Sequence, residues 1–129
     1  MYKPALIAGA VSGMLAVIIG AFGAHGLKGM LTDMSYLPIY EKGVSYHFYH
    51  TFAILAVGIL YQFFPSKFMV WANTFFLMGI LCFSGSLYLM ALLNTKAIGI
   101  GKAGVITPIG GLFFIAGWIS LLLGVLKKS

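Results

Sequence analysis

All three histidines of this chain stand at the ends of apolar segments, and their spacing points to metal chemistry. His25 closes the first apolar segment, while His47 and His50 lie three residues apart in the run YHFYH. Side chains three residues apart on a helix project from neighbouring positions of one surface. Two imidazoles on one helix and a third on a neighbour match a three-ligand divalent metal site with an open position, so His25, His47 and His50 are candidate ligands, with Glu41 as a further one.

Haem and quinone are weaker alternatives for the same histidines. A bis-histidine haem needs His25 opposite His47 or His50, and an aromatic, histidine-bearing cleft suits a quinone head. The sequence fixes neither distance, so the identity of any cofactor stays open. The simplest alternative is that the histidines only anchor the membrane interface, within a belt of tyrosines: Tyr36, Tyr40, Tyr46, Tyr49 and Tyr88.

Hydroxyl side chains extend the histidine cluster. We predict that they share one polar pocket with the histidines, which would bind an ion or a small amphiphile. The candidate ligand-binding residues are His25, His47, His50, Ser84, Ser86 and Thr107.

Catalysis finds little support in the sequence. Asp33 and Glu41 are the only acids and lie in one loop, which leaves no paired carboxylates for hydrolysis. A dyad of Ser84 or Ser86 with a histidine is conceivable, but FSGS lacks the Gly-x-Ser-x-Gly frame. We therefore predict that the protein is not an enzyme.

Four apolar segments must position these side chains. They cover residues 4–27, 44–64, 68–93 and 107–126, and each reaches the ~20 residues needed to cross a bilayer. Because 61% of the residues are hydrophobic and only 8% are charged, lipid must cover the surface. We predict a single integral membrane domain, residues 1–129, that is an all-α bundle of four transmembrane helices.

Local signals mark the segment boundaries. Pro65 ends the second segment, and Thr107-Pro108 resembles a helix start in which threonine caps and proline takes the first helical position. Between the first two segments, Leu27, Met30 and Leu31 fall at helical spacing, which predicts a short interfacial helix before the second span.

Four spans place both tails on one side of the membrane and all three histidines at the opposite side. The eight lysines divide equally between the sides, so the positive-inside rule gives no clear orientation. Lys127-Lys128 directly after the last span favours cytoplasmic tails. The net charge of +6 follows from lysines at span ends that meet lipid headgroups, so we predict no nucleic-acid partner.

Small residues recur at helical spacing in three of the four segments. In lipid, helices associate by close packing, and small residues let their backbones approach. The number of such stripes also leaves room for a homo-oligomer. The candidate packing residues are Gly9, Gly13, Gly20, Gly79, Gly110 and Gly117.

Four ordered blocks carry a resemblance to a known family. They are GAFGAHGL at residues 20–27, YHFYH at 46–50, Gly79 with FSGSLY at 83–88, and ITPIGG at 106–111 followed by Gly117-Trp118. The chain resembles uncharacterised protein family 0382, also called domain of unknown function 423. The resemblance implies a small multi-pass membrane protein with no established activity.

Two classes of function follow. One is a binding or transport component that uses the polar face for an ion or amphiphile. The other is a structural membrane protein that acts through helix contacts with itself or a partner.

Overall fold

Four membrane-length helical spans make up the fold, as the sequence predicts. The structure is a computed structural model that describes residues 1–97, 99, 101 and 103–127, and these ranges contain no β-strand. The spans are α1 (Lys3–His25), α2 (Tyr36–Leu60), a third span of α3 (Lys67–Gly79) and α4 (Gly85–Thr95), and α5 (Ala103–Leu126). All four spans are apolar and long enough to cross a membrane. Lys102 and Lys128, which entered the charge count, lie outside the described residues.

The connection between the first two spans is shorter than the sequence predicts. It contains one 3-10 turn, Leu27–Gly29, and α2 begins at Tyr36 rather than near residue 44. Pro38 does not delay the helix, because it falls in the first turn, where backbone N–H groups have no helical acceptor. The early start brings Tyr40, Gly43 and His47 onto one continuous helix.

The tip of this connection is tied to the third span. Backbone N–H groups of Thr32 and Asp33 donate to Asn94 Oδ1 at 3.1 and 3.0 Å. Ser35 N–H donates to Asp33 at 2.9 Å, and this bond lowers the pKa of the Asp33 carboxyl. These bonds fix the polar ends of the first and third spans next to each other.

The fourth span, α5, starts one turn earlier than predicted. It begins at Ala103, so that Thr107 and Pro108 lie inside it rather than at its cap. Pro108 lies in the second turn of α5, so the helix lacks the backbone hydrogen bond to the Gly104 carbonyl oxygen at that point. The prediction of a Thr107 cap is therefore wrong, and the Thr107 side chain is free to contact the third span.

The third span contains a π-helical turn that sequence periodicity did not reveal. Ile80–Ser84 links α3 to α4. Such a turn widens the helix locally and is found mostly as a single interruption inside an α-helix.

The spans pack as two hairpins, one of α1 with α2 and one of the third span with α5. The hairpins meet mainly where α2 lies against the third span. α1 lies against α2, and the third span lies against α5 and α2. The core between α2, the third span and α5 is apolar, with Ile54, Met69 and Phe76 fully buried. α1 makes few contacts with the third span, which leaves a cleft between them.

Candidate functional site

The six predicted ligand-binding residues do not share one pocket. His25 is exposed at the end of α1, as is Glu41 on α2. His47 and His50 are buried on α2, but they contact different spans. Within the described part of the chain, no three histidine, cysteine or acidic side chains are close enough to hold a metal ion. The predicted three-histidine ligand set is therefore not brought together.

His47 lies at the centre of a hydrogen-bonded chain across three spans. Its Nε2 is 3.0 Å from Ser12 Oγ on α1, and its Nδ1 is 2.9 Å from the Tyr88 hydroxyl on α4. Ser12 Oγ in turn lies 2.6 Å from Thr51 Oγ1. Each hydroxyl can donate or accept, so the protons of this chain can be arranged in either direction. His47 is only 4% exposed, and its two ring nitrogens are both hydrogen-bonded, to Ser12 and Tyr88.

His50 joins α2 to α5 and has a defined tautomer. Its Nδ1 lies 2.8 Å from the carbonyl oxygen of Tyr46, which can only accept, so Nδ1 carries the proton. Nε2 therefore has a free lone pair, and the indole N–H of Trp118 donates to it at 3.1 Å. The Phe114 ring stacks on the imidazole with the centroids 3.5 Å apart. A metal ion could bind Nε2 only by displacing Trp118.

The three predicted hydroxyl residues bridge helices away from either histidine. Ser84 donates to the Gly43 carbonyl oxygen of α2 at 2.7 Å. Ser86 donates to the Phe83 carbonyl oxygen of its own span and lies 2.5 Å from Thr107 Oγ1 of α5. These bonds join the third span to its two neighbours, as hydroxyls inside membranes commonly do.

All six predicted packing glycines lie against another helix. Gly13 and Gly20 face Thr51 and Val44 of α2, where an added Cβ would come within 3.5 and 3.2 Å. Gly110 differs from the other five in lying against backbone, because an added Cβ there would meet Phe83 N and Cα in the π-helical turn. The others face side chains: Gly9 faces Leu55, Gly79 faces Phe114 and Gly117 faces Phe76.

A cleft of about 410 Å³ lies between α1 and the third span. Its polar residues are Ser12, His47 and Tyr88, and the remaining walls are apolar. The rim opens towards lipid, because Leu81 is 69% exposed and Val11 47% exposed. The apolar lining consists of Ala8, Val11, Leu15, Ile19, Leu77, Ile80, Leu81 and Gly85.

A second cavity of about 380 Å³ continues the cleft towards the end of the bundle where His25 closes α1. The two cavities share Ile19 and Tyr88, and the second reaches Phe22 and Leu92. Together they form a groove along α1 from Ala8 to Phe22, about 21 Å at 1.5 Å per helical residue.

Sequence reasoning missed Ser12 as a site residue and treated Tyr88 only as part of an interfacial belt. The available signal was that Ser12 is the only hydroxyl residue in an otherwise apolar first span. An isolated hydroxyl at mid-span commonly bonds to a neighbouring helix. Thr51 gave a weaker signal, one helical turn after His47.

Comparison with known proteins gives a family without an assigned activity. The family model described as "Protein of unknown function (DUF423)" matches residues 19–111. A UPF0382 membrane protein of Staphylococcus aureus strain bovine RF122 is 43% identical over 122 residues, 95% of this chain and 94% of the relative. UPF0382 membrane protein YwdK of Bacillus subtilis is 38% identical over 126 residues, 97% of this chain and 98% of the relative. No solved structure matches the chain.

Proposed function

We propose that this chain, which belongs to the DUF423 family of membrane proteins, binds an amphiphile from the lipid phase. The binding site is the cleft between α1 and the third span. The cleft itself is the observation that carries this proposal. Its volume of about 410 Å³ falls in the ordinary range for small-molecule sites, roughly 300–1,000 Å³. Apolar walls with a few polar groups are also typical of such sites.

The groove gives an amphiphile both a way in and a place for its chain. Exposed Leu81 and Val11 at the rim put the opening among acyl chains, so a ligand need not cross water. Its apolar chain would lie along α1 between Ile19 and the third span. This placement agrees with the two adjoining cavities, which meet at Ile19 and Tyr88.

Tyr88 provides the polar contact in this proposal. It is half-buried, and its hydroxyl bonds to His47 Nδ1; because a phenol hydroxyl both donates and accepts, it can also bond to a ligand. His47 and Ser12 are more deeply buried and hold that hydroxyl in place through the hydrogen-bonded chain.

Filling the cleft tests the proposal. An added Cβ at Gly85 would make only an ordinary contact, 3.9 Å from the Ile80 carbonyl oxygen, so the Gly85→Leu side chain can occupy the cleft without displacing backbone. We expect a long-chain alcohol bearing a photoactivatable diazirine to cross-link to residues 11–15 and 77–81 in nanodiscs, and Gly85→Leu to reduce this at least about tenfold. Mass spectrometry of the peptides measures both.

Gly111→Leu is the matched control. Gly111 lies on α5, away from the cleft, and an added Cβ there has no neighbour within 4 Å among the described residues. Labelling of the cleft should therefore persist in this variant. Labelling that is absent in the wild type, or that Gly85→Leu leaves unchanged, would contradict ligand binding and favour a structural protein that acts through helix contacts.

The orientation of the molecule is a second part of the proposal. Tails on the cytoplasmic side agree with Lys127 directly after α5, because cytoplasmic flanks of spans are enriched in lysine.

A further inference from the structure

We infer that the cleft selects lipids with an uncharged hydroxyl or carbonyl head group and rejects charged ones. The inference rests on the proposed function, since it concerns the ligand of the same cleft. It is carried by three features: the depth of the polar residues, the reversible hydrogen-bonded chain, and the absence of charge among the described residues that line the cleft.

The polar residues of the cleft lie well inside the span. The lining of the cleft on α1 runs from Ala8 to Ile19. Ser12 stands nine residues after Lys3, where α1 begins, and thirteen before His25, where it ends, or about 14 and 20 Å along the helix. A head group bound at Ser12, His47 and Tyr88 is therefore surrounded by hydrocarbon rather than by the headgroup layer.

The hydrogen-bonded chain can present either a donor or an acceptor to the ligand. In one direction Thr51 donates to Ser12, Ser12 donates to His47 Nε2, and His47 Nδ1–H donates to Tyr88. The Tyr88 O–H is then free to donate to a ligand carbonyl. In the other direction every proton is reversed, Tyr88 donates to Nδ1, and its oxygen accepts from a ligand hydroxyl.

A charged head group finds no compensation in this cleft. The described lining residues include no lysine, aspartate or glutamate, and His47 is satisfied as a neutral imidazole by hydroxyl partners. An ion moved out of water into such surroundings loses hydration that no opposite charge replaces. An alcohol or ester exchanges one neutral hydrogen bond for another, so its penalty is small.

Three matched probes test the selectivity. They carry the same diazirine-bearing alkyl chain and differ only in the head: an alcohol, a methyl ester, and a sulfonate that stays charged at every pH used. In nanodiscs containing the full chain, we expect the alcohol and the ester to label residues 11–15 and 77–81 to a similar extent. The sulfonate should label them at least about tenfold less. Tyr88→Phe should reduce labelling by the alcohol and the ester severalfold.

The outcomes separate the two proposals. Equal labelling by the sulfonate would overturn head-group selection while leaving amphiphile binding in place. It would mean that the alkyl chain of the probe occupies the groove while its head group remains at the interface, as in an ordinary phospholipid. Labelling by none of the probes above the level in Gly85→Leu would overturn the proposed function itself. Unchanged labelling in Tyr88→Phe would remove Tyr88 as the recognising group.

Discussion

At the scale of single residues, buried polar groups in this protein serve mainly to hold helices together. His50 is the clearest case, because a carbonyl oxygen fixes its proton on Nδ1 and an indole N–H occupies Nε2. Only a neutral imidazole fits both partners. The histidine that sequence spacing offered as a metal ligand is thus already fully bonded between α2 and α5.

Removing the indole donor should weaken the protein measurably. Trp118→Phe leaves His50 Nε2 as a buried acceptor without its partner, and we expect a loss of about 1–3 kcal/mol in the free energy of unfolding. Trp71→Phe is the matched control, because Trp71 faces outwards and contacts only the exposed Lys67 ammonium and the Phe68 ring among the aromatic and charged groups of the described residues; its cost should stay below about 1 kcal/mol. Unfolding in mixed detergent and dodecyl sulfate micelles measures both. An imidazole nitrogen spectrum with the His50 proton on Nε2 would contradict the assignment.

Asn73 shows the opposite situation, a buried polar atom without compensation. It is 7% exposed, and among the described residues its Oδ1 has no hydrogen-bond partner. Asn73→Leu should therefore stabilise the protein by about 1–3 kcal/mol, because the desolvation penalty disappears. Asn94→Leu removes the acceptor of two backbone N–H groups and should destabilise it. Equal signs for the two variants in the same unfolding assay would refute this account.

At the scale of elements, the interruption of the third span matters most. The π-helical turn Ile80–Ser84 is where α5 crosses, and Gly110 lies directly against its backbone. A backbone atom cannot move aside as the tip of a side chain can. This crossing therefore sets how closely α5 approaches the third span.

Neighbouring glycines on α5 test that crossing. Gly110→Ala should cost about 3 kcal/mol, the upper end of the usual range for overpacking, since its Cβ meets the Phe83 backbone and forces the helices apart. Gly111→Ala places a methyl group where an added Cβ has no neighbour within 4 Å among the described residues, and it should be neutral or stabilise the helix by up to about 1 kcal/mol. Similar stabilities of the two variants, measured as micellar unfolding free energies, would show that the crossing is loose.

Local sequence patterns predicted the spans and the small faces but not the internal irregularities. Hydropathy determines which segments cross the bilayer, so four helices could be expected from the positions of the apolar segments alone. The early start of α2 at Tyr36, the inclusion of Pro108 within α5 and the π-helical turn depend on contacts between spans. For the same reason, helical spacing predicted that His47 and His50 lie on one helix, but it could not predict that His47 bonds to Ser12 and Tyr88 while His50 bonds to Trp118.

At the scale of the whole molecule, four spans fix the relation between tails and loops. The loop that contains Lys28 lies at one end of the bundle, and the turn that contains Gln62 lies at the other. Both residues are exposed. The lysine distribution does not decide which end faces the cytoplasm, since it is balanced.

Cysteine labelling in intact cells reads out the arrangement directly. In a Cys82→Ala background, we expect Lys28→Cys to react with a membrane-impermeant maleimide from outside. Gln62→Cys should react only after permeabilisation, because the tail side is cytoplasmic in our proposal. Reaction of both from the same side would contradict the four-span topology. The reversed pattern would contradict only the proposed orientation.

The division into two hairpins has a consequence for how the protein is made. Each hairpin joins spans that follow one another in the chain, so its interface can form as soon as its second helix enters the bilayer. The groove lies on the seam between these two early products and is completed only when they dock. Amino-acid changes on the facing sides of that seam can therefore widen or narrow the groove while each half still assembles.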